Sequence, residues 1–301
     1  MLIRNKLDKV QQVPCGQCKD CRLEKSSQWG VRCHHEAQLH KQNCFITLTY
    51  NNKSLPKDQN VNKTHLTNFI KKLKTYINTK QYASSKTQPY QHQPYKTFRY
   101  YAGAEYGETK TKRPHYHICL FGYDFPDKQT LRQTHFIKIK SQFRESNIYA
   151  LYTSEILSKV WNKGFTTIGD LSYKSASYVA RYCMKKITGD MAKTHYKRDY
   201  MELGSPTRTP EFALISRRPG IAYKWLEQYW TDVYPKDYFT IKGIKHRPPR
   251  YYDDQLFKKS PRTYYKLKYE RSKKVKELIP ERLKELEKHR ELITKSLKRN
   301  F

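Results

Sequence analysis

Arg113-Pro114-His115-Tyr116-His117-Ile118-Cys119-Leu120-Phe121-Gly122 is the stretch that decides the fold. From Pro114 onward it has the composition of a buried strand. Side chains alternate between the two faces of a strand. His115, His117 and Cys119 therefore share one face, and Tyr116, Ile118 and Leu120 share the other. The apolar set requires cover on its side of the sheet. The two imidazoles project side by side, close enough to hold one cation. Such a pair suits Mn, Zn or Ni better than Mg, and a harder third ligand shifts the preference towards Mg or Mn. Glu105 ends the preceding strand, Phe98 to Glu105, and the turn-rich segment Gly107 to Arg113 reads as a hairpin. Across that hairpin Glu105 can reach His115 or His117. The competing reading is two half-buried histidines bonded to backbone.

Outward from this strand, Cys44 to Tyr50 is β-branched and aromatic, and reads as a second strand. Leu66, Phe69, Ile70 and Leu73 fall at helical spacing within a helix from Thr64 to about Ile77. Residues 80 to 97 read as a loop. A helix at Ser154 to Asn162, a strand at Phe165 to Ile168, and a helical Leu226 to Trp230 complete the pattern. The expected fold is α+β: a central antiparallel sheet carrying the His-x-His strand, flanked by helices, with a basic helical C-terminal extension.

Lys174 to Ile187 reads as a helix. On a helical wheel Ala176, Ala180, Cys183 and Ile187 cluster on one side, while Tyr178, Tyr182 and Lys185 cluster nearly opposite. The tyrosines are thus not part of the main apolar stripe. A phenol with a pKa near 10 is a poor nucleophile without help, and a lysine one turn on can stabilise its phenolate. A two-histidine strand with a two-tyrosine helix suggests metal-assisted attack by tyrosine on a phosphodiester. The competing reading has both tyrosines covering a neighbouring strand.

Lys and Arg number 60 against 27 Asp and Glu, a net charge of +33, among 26 Tyr, 12 Phe and 4 Trp. Such an excess disfavours a compact state unless a polyanion is present. Cations interleaved with aromatics suit single-stranded nucleic acid. The last 66 residues carry 21 basic against 9 acidic side chains, so +12 of the +33 lies in the tail and +21 in the rest. No stretch approaches a membrane span and no signal peptide is evident. An intracellular setting follows as an expectation, with seven cysteines that are thiols or metal ligands. Cys15-x2-Cys18-x2-Cys21-x11-Cys33 has the close spacing of a thiolate site for Zn²⁺ or an iron–sulfur cluster, with His34 and His35 as spare ligands. Free thiols are the alternative. The expected organisation is a Cys/His-rich segment at 1–40, a catalytic domain at 41–235 and a basic extension at 236–301.

Several segments together resemble the replication initiators of microviruses, most closely the gokushovirus branch, within the H-U-H endonuclease superfamily. Phe45-Ile46-Thr47-Leu48-Thr49-Tyr50 looks like the first motif strand, Arg113 to His117 is similar to the metal motif, and Tyr178-x3-Tyr182-x2-Lys185 looks like the two-tyrosine motif. Ala104-Glu105-Tyr106-Gly107 resembles the acidic element, and Pro14 to Arg22 also looks gokushoviral. The likeness covers about residues 13 to 190. It implies a nickase and ligase for rolling-circle replication of a small circular genome. Tyr178 and Tyr182 would be the nucleophiles, helped by Lys185. His115, His117 and Glu105 would hold Mg²⁺ or Mn²⁺. The implied partners are single-stranded and origin DNA, with host helicase and polymerase, in the bacterial cytoplasm. A transposase or plasmid relaxase of the same superfamily is the nearest rival. A non-catalytic single-strand-binding protein is the rival from another class, but binding alone needs neither H-x-H nor Y-x3-Y-x2-K.

Overall fold

The structure, a computed structural model, describes residues 2–4, 10–12, 16, 18–85, 97–107, 113–133, 150–183, 190–197, 207–273, 285, 288 and 292. They fall into two compact units, one of Met1–Gln17 with Arg22–Gln228 and one of Cys18–Cys21 with Tyr229–Phe301.

In the first unit β1 (Leu2–Arg4) pairs with β2 (Val10–Gln12). Next come α1 (Lys19–Gln38), β3 (Asn43–Tyr50), α2 (Lys63–Ser85), β4 (Arg99–Tyr106) and β5 (Pro114–Phe121). They are followed by β6 (Gln129–Gln133), β7 (Ala150–Thr153), α3 (Glu155–Trp161), β8 (Gly164–Gly169) and α4 (Tyr173–Cys183). The unit ends with α5 (Asp190–His195), β9 (Phe212–Ile215) and α6 (Tyr223–Gln228). Seven strands form one sheet in the order β6-β7-β8-β3-β5-β4-β9, each neighbour antiparallel. The expected α+β fold with its antiparallel sheet is observed, and the histidine strand β5 is interior.

One face of the sheet holds the main core. Ile46 and Leu48 of β3, Ala102 and Ala104 of β4, and Tyr116 and Ile118 of β5 are buried there with Leu66, Phe69 and Leu73 of α2 and Trp161 of α3. These are the alternate positions the strand pattern assigned to one side. The α3 boundaries follow from its caps. The Ser154 hydroxyl accepts from Leu157 N at 3.1 Å, and Asn162 closes the helix in the left-handed region at φ 46°.

The opposite face is covered by α1 and α4. Trp29 of α1 stacks on Tyr101 of β4, ring centroids 4.8 Å apart. Tyr101 shares its strand face with Gly103 and Glu105. Helix α4 packs on β4 and β5 with Ala176, Val179 and Ala180 buried. The two helices touch where Ser26 Oγ donates to Ser177 O at 3.2 Å. At Gly30 a Cβ would stand 2.1 Å from Ser177 Oγ and 3.1 Å from its Cβ, so glycine permits the close approach. Gly30→Leu should wedge α1 from α4 and cost about 1–3 kcal/mol of stability, read as a lower midpoint in urea unfolding.

Glu36 fixes the other end of α1. Arg99 Nε lies 2.5 Å from Glu36 Oε1, Ala222 N donates to Oε2 at 2.5 Å, and His40 lies 3.3 Å away. Burial pushes the Glu36 carboxyl up, but His40, the Ala222 amide and Arg99 together outweigh it and hold the group below its ordinary range.

The second unit contains α7 (Trp230–Val233), the hairpin β10 (Phe239–Ile241) with β11 (Ile244–His246), α8 (Arg250–Lys259) and α9 (Pro261–Lys273). Its centre is Arg271, which donates to both Asp237 and Asp253, while Tyr234 OH donates to Asp253 at 2.8 Å.

Several elements differ from the sequence reading. Helix α1 occupies the Cys/His-rich segment, where no helix was expected. Helix α2 runs on to Ser85, into the expected loop. The helix expected at Leu226 to Trp230 is two helices, ending at Gln228 and restarting at Trp230. The apolar stripe read at Leu283, Leu286, Ile293 and Leu297 lies outside the described residues. No helix among the described residues is long and apolar enough to cross a membrane.

Candidate metal and nucleophile site

The sheet register builds the site. Thr47 of β3 and Gly103 of β4 flank His117, while Thr49 and Glu105 flank His115. All share one face. His117 Nδ1 lies 3.0 Å from Thr47 Oγ1, and His115 Nδ1 lies 3.0 Å from Thr49 Oγ1. Each ring is therefore held by its Nδ1, leaving Nε2 as the nitrogen that can bind a ligand. A threonine hydroxyl both donates and accepts, so it holds the ring in either tautomer. The same arrangement orients metal-binding histidines elsewhere. Phe45 stacks on His117 at 5.7 Å. Glu105 leans diagonally past Gly103, and its Oε1 lies 2.7 Å from His117 Nε2. Both groups are buried.

Burial, the neighbouring His117 and Arg113 together pull His115 down to about 4. It is neutral at pH 7, as a metal ligand must be. A Cβ at Gly107 would come within 3.0 Å of His115 Nε2, so glycine keeps that nitrogen uncrowded. Arg113 does not enter the site. Its guanidinium donates to Tyr50 O at 2.9 Å and to Asn52 Oδ1 at 2.6 Å, pinning the end of β3 against β5.

On the opposite face the Tyr116 hydroxyl accepts from Asn62 N at 2.8 Å and meets Tyr50 OH at 2.8 Å. Burial raises both phenols above their ordinary range, Tyr50 further through Tyr116. These two tyrosines are anchors and cannot supply a phenolate. Tyr178 and Tyr182 both fall within α4, one turn apart, and α4 packs on the strands that carry Glu105, His115 and His117. The side chains of Tyr178 and Tyr182, and all of Lys185, lie outside the described residues.

The donor chemistry fits a divalent cation: two oriented imidazoles, one of them held neutral, and a carboxylate beside them. The contact found between Glu105 and His117 is direct. Among the described residues no three His, Cys, Asp or Glu side chains surround a common point.

The thiolate arrangement is not brought together. Cys15 lies outside the described residues. Cys21 and Cys33 both belong to α1, and twelve residues of helix separate them by about 18 Å along the axis, too far for one ion. Cys18 instead caps α1, its Sγ accepting from Cys21 N at 3.5 Å. Cys33 is buried. Of the spare ligands, His35 stacks on Trp225 at 3.5 Å, and His34 lies 3.4 Å from Gln38 Nε2.

Sequence reasoning missed Thr47 and Thr49, although their i, i+2 spacing repeats that of the histidines on the adjacent strand. It also missed Phe165 of β8, which pairs with Thr49 and stands 69% exposed on the histidine face. The two threonines yield a direct test. Thr47→Val with Thr49→Val should weaken Mn²⁺ binding about 10- to 100-fold by calorimetry, with little loss of stability.

Fold and site together define an α+β protein organised around a His-x-His strand, with a helix carrying two tyrosines packed on the same strands. A family model of the replication-associated protein ORF2 type matches residues 43–187, from the first residue of β3 to beyond α4. The replication-associated protein ORF2 of Spiroplasma virus 4 is 35% identical over 88% of this chain and 73% of its own length. The replication-associated protein VP4 of Bdellovibrio phage phiMH2K is 29% identical over 87% and 72%, and the replication-associated protein ORF4 of Chlamydia phage 1 is 26% identical over 82% and 54%. The chain belongs to this family of phage replication-associated proteins, and the microviral resemblance read from its motifs is borne out. No solved structure matches it.

Proposed function

We propose that this protein starts rolling-circle replication of a small circular phage genome by nicking one strand at the origin and later rejoining it. The observation that carries the reading is the packing of α4, which bears Tyr178 and Tyr182, on the strands that present the threonine-held His115 and His117. A tyrosine oxygen attacks the scissile phosphorus and the bond to the 3′ oxygen breaks. The 5′ phosphate stays on tyrosine and the leaving 3′ oxygen takes a proton. Rejoining reverses these bonds: a 3′ hydroxyl attacks the phosphotyrosine and the phenol is released. The ester conserves the bond energy, so no external energy source is needed. With two tyrosines, the second can cut again while the first still holds its strand.

His115 and His117, with Glu105, are the residues that would hold Mg²⁺ or Mn²⁺. When bound, the cation offsets charge developing on the phosphate. Lys185 would stabilise the attacking phenolate. Exposed Phe165 offers an aromatic face on which a base can stack. The net charge of +33 supplies attraction to the DNA backbone.

The test is a labelled single-stranded origin oligonucleotide incubated with protein and Mn²⁺. A covalent protein–DNA adduct that is lost with EDTA is the expected result. Sequence-independent binding with no adduct on any origin oligonucleotide would instead favour the non-catalytic binding protein.

A further inference from the structure

We propose that the outer face of α9 is a second binding site for single-stranded DNA, separate in sequence from the nicking residues. The proposal rests on the reading that this protein handles single strands, and it names where a strand is held besides the histidine face.

At 100° per residue, Arg262, Tyr265, Lys266, Tyr269 and Lys273 fall within one stripe of α9. All five are exposed. Tyr265 is 58% and Tyr269 61% exposed, high values for large aromatic rings. The opposite face of the same helix is already used. Leu267 is buried there, and Arg271 donates to Asp237 and Asp253. That clamp fixes which face of α9 turns outward within its unit. The stripe is therefore not a fold surface awaiting a core.

Its chemistry alternates ring and cation. Lys273 Nζ lies 4.3 Å from the Tyr269 ring centroid. Tyr265 is braced from behind by Phe257 of α8 and by Tyr264, at centroid distances of 6.0 and 5.4 Å. Rings held in place lose little freedom when a base stacks on them. Glu270 is the one acid on α9, and it sits 3.7 Å from Lys273. Tyr265 and Tyr269 are about 6 Å apart along the helix axis. This composition selects single strands. Stacking needs unpaired bases, and the flanking cations meet phosphates. A membrane-binding helix would place bulky aliphatic side chains on its exposed face, whereas this face carries only tyrosines and cations.

The test uses the full chain, oligo-dT, a DNA duplex of equal length, and vesicles containing phosphatidylserine. Tyr265→Ala with Tyr269→Ala should weaken oligo-dT binding about tenfold or more. Duplex affinity should change by less than about twofold, and the thermal midpoint should hold. Tyr265→Phe with Tyr269→Phe should retain oligo-dT affinity, because the rings remain. Lys266→Ala with Lys273→Ala should flatten the slope of log affinity against log salt by about 1.4. Wild-type oligo-dT affinity in the double alanine variant overturns the proposal. So does an equal loss on duplex, or a loss confined to vesicles. The assay contains no cleavage step. Absence of nicking in every variant, alongside the expected loss of oligo-dT binding, would remove the nickase reading and leave this site standing.

Discussion

Replacing both tyrosines of α4, Tyr178→Phe with Tyr182→Phe, is expected to abolish the covalent protein–DNA adduct, a loss of at least about 10³-fold that matches removal of an attacking nucleophile. Each single variant should keep partial activity of a distinguishable kind. The variant lacking the first attacker should fail to open the origin. The variant lacking only the second should cleave once and stall before the next round. The substitutions remove one oxygen each and leave the ring, so the fold of α4 has no reason to change. Stability checked by urea unfolding should stay within about 0.5 kcal/mol of the parent. A double variant that still forms the adduct would place the nucleophile elsewhere, and the buried, pKa-raised Tyr50 and Tyr116 are poor substitutes.

His117→Ala carries the second large effect, and it acts on two properties at once. It removes an imidazole from the proposed cation site, so Mn²⁺-dependent cleavage should fall by at least about 10³-fold. It also removes the group 2.7 Å from the buried Glu105 carboxylate. Deleting a partner of a buried charge costs more than deleting a surface contact, here about 2–3 kcal/mol. His117→Ala with Glu105→Gln should recover part of that stability while cleavage stays lost. That separation distinguishes a cation ligand from a merely structural histidine. If the single variant unfolds no more easily and cleaves as before, the contact between Glu105 and His117 contributes neither to fold nor to chemistry.

How much of this was legible beforehand depends on where each element puts its apolar side chains. β3, β4 and β5 alternate between a deep core and a functional face, and the alternation alone identified the strands and the residues sharing a face. The pairing of Glu105 with the histidines followed from a hairpin with a recognisable turn. The ends of α3 were readable because Ser154 and Asn162 are the residue types that cap helices.

Helix α1 was not legible, for a physical reason. The positions it buries include Ser26, Gly30, His35 and Glu36, so its packed face shows no apolar period. It is held by a glycine contact, a ring stack and a buried ion pair instead. The fused cysteine spacing also suggested a different local structure, a metal knuckle rather than a helix. Strands β6, β7 and β9 are five residues or fewer and too short to show alternation. The histidine-holding role of Thr47 and Thr49 needed the β3–β5 register, which fixes partners that no single strand displays.

The most direct test of the central claim is to locate the DNA on the chain. Trypsin cuts after Lys174, Arg181 and Lys185, so Tyr178 and Tyr182 fall in separate peptides, Ser175–Arg181 and Tyr182–Lys185. The covalent adduct formed with Mn²⁺ is trimmed with nuclease, digested and mapped by mass spectrometry. A nucleotide mass on one or both of these peptides is the predicted result. A nucleotide on any other peptide would contradict the account.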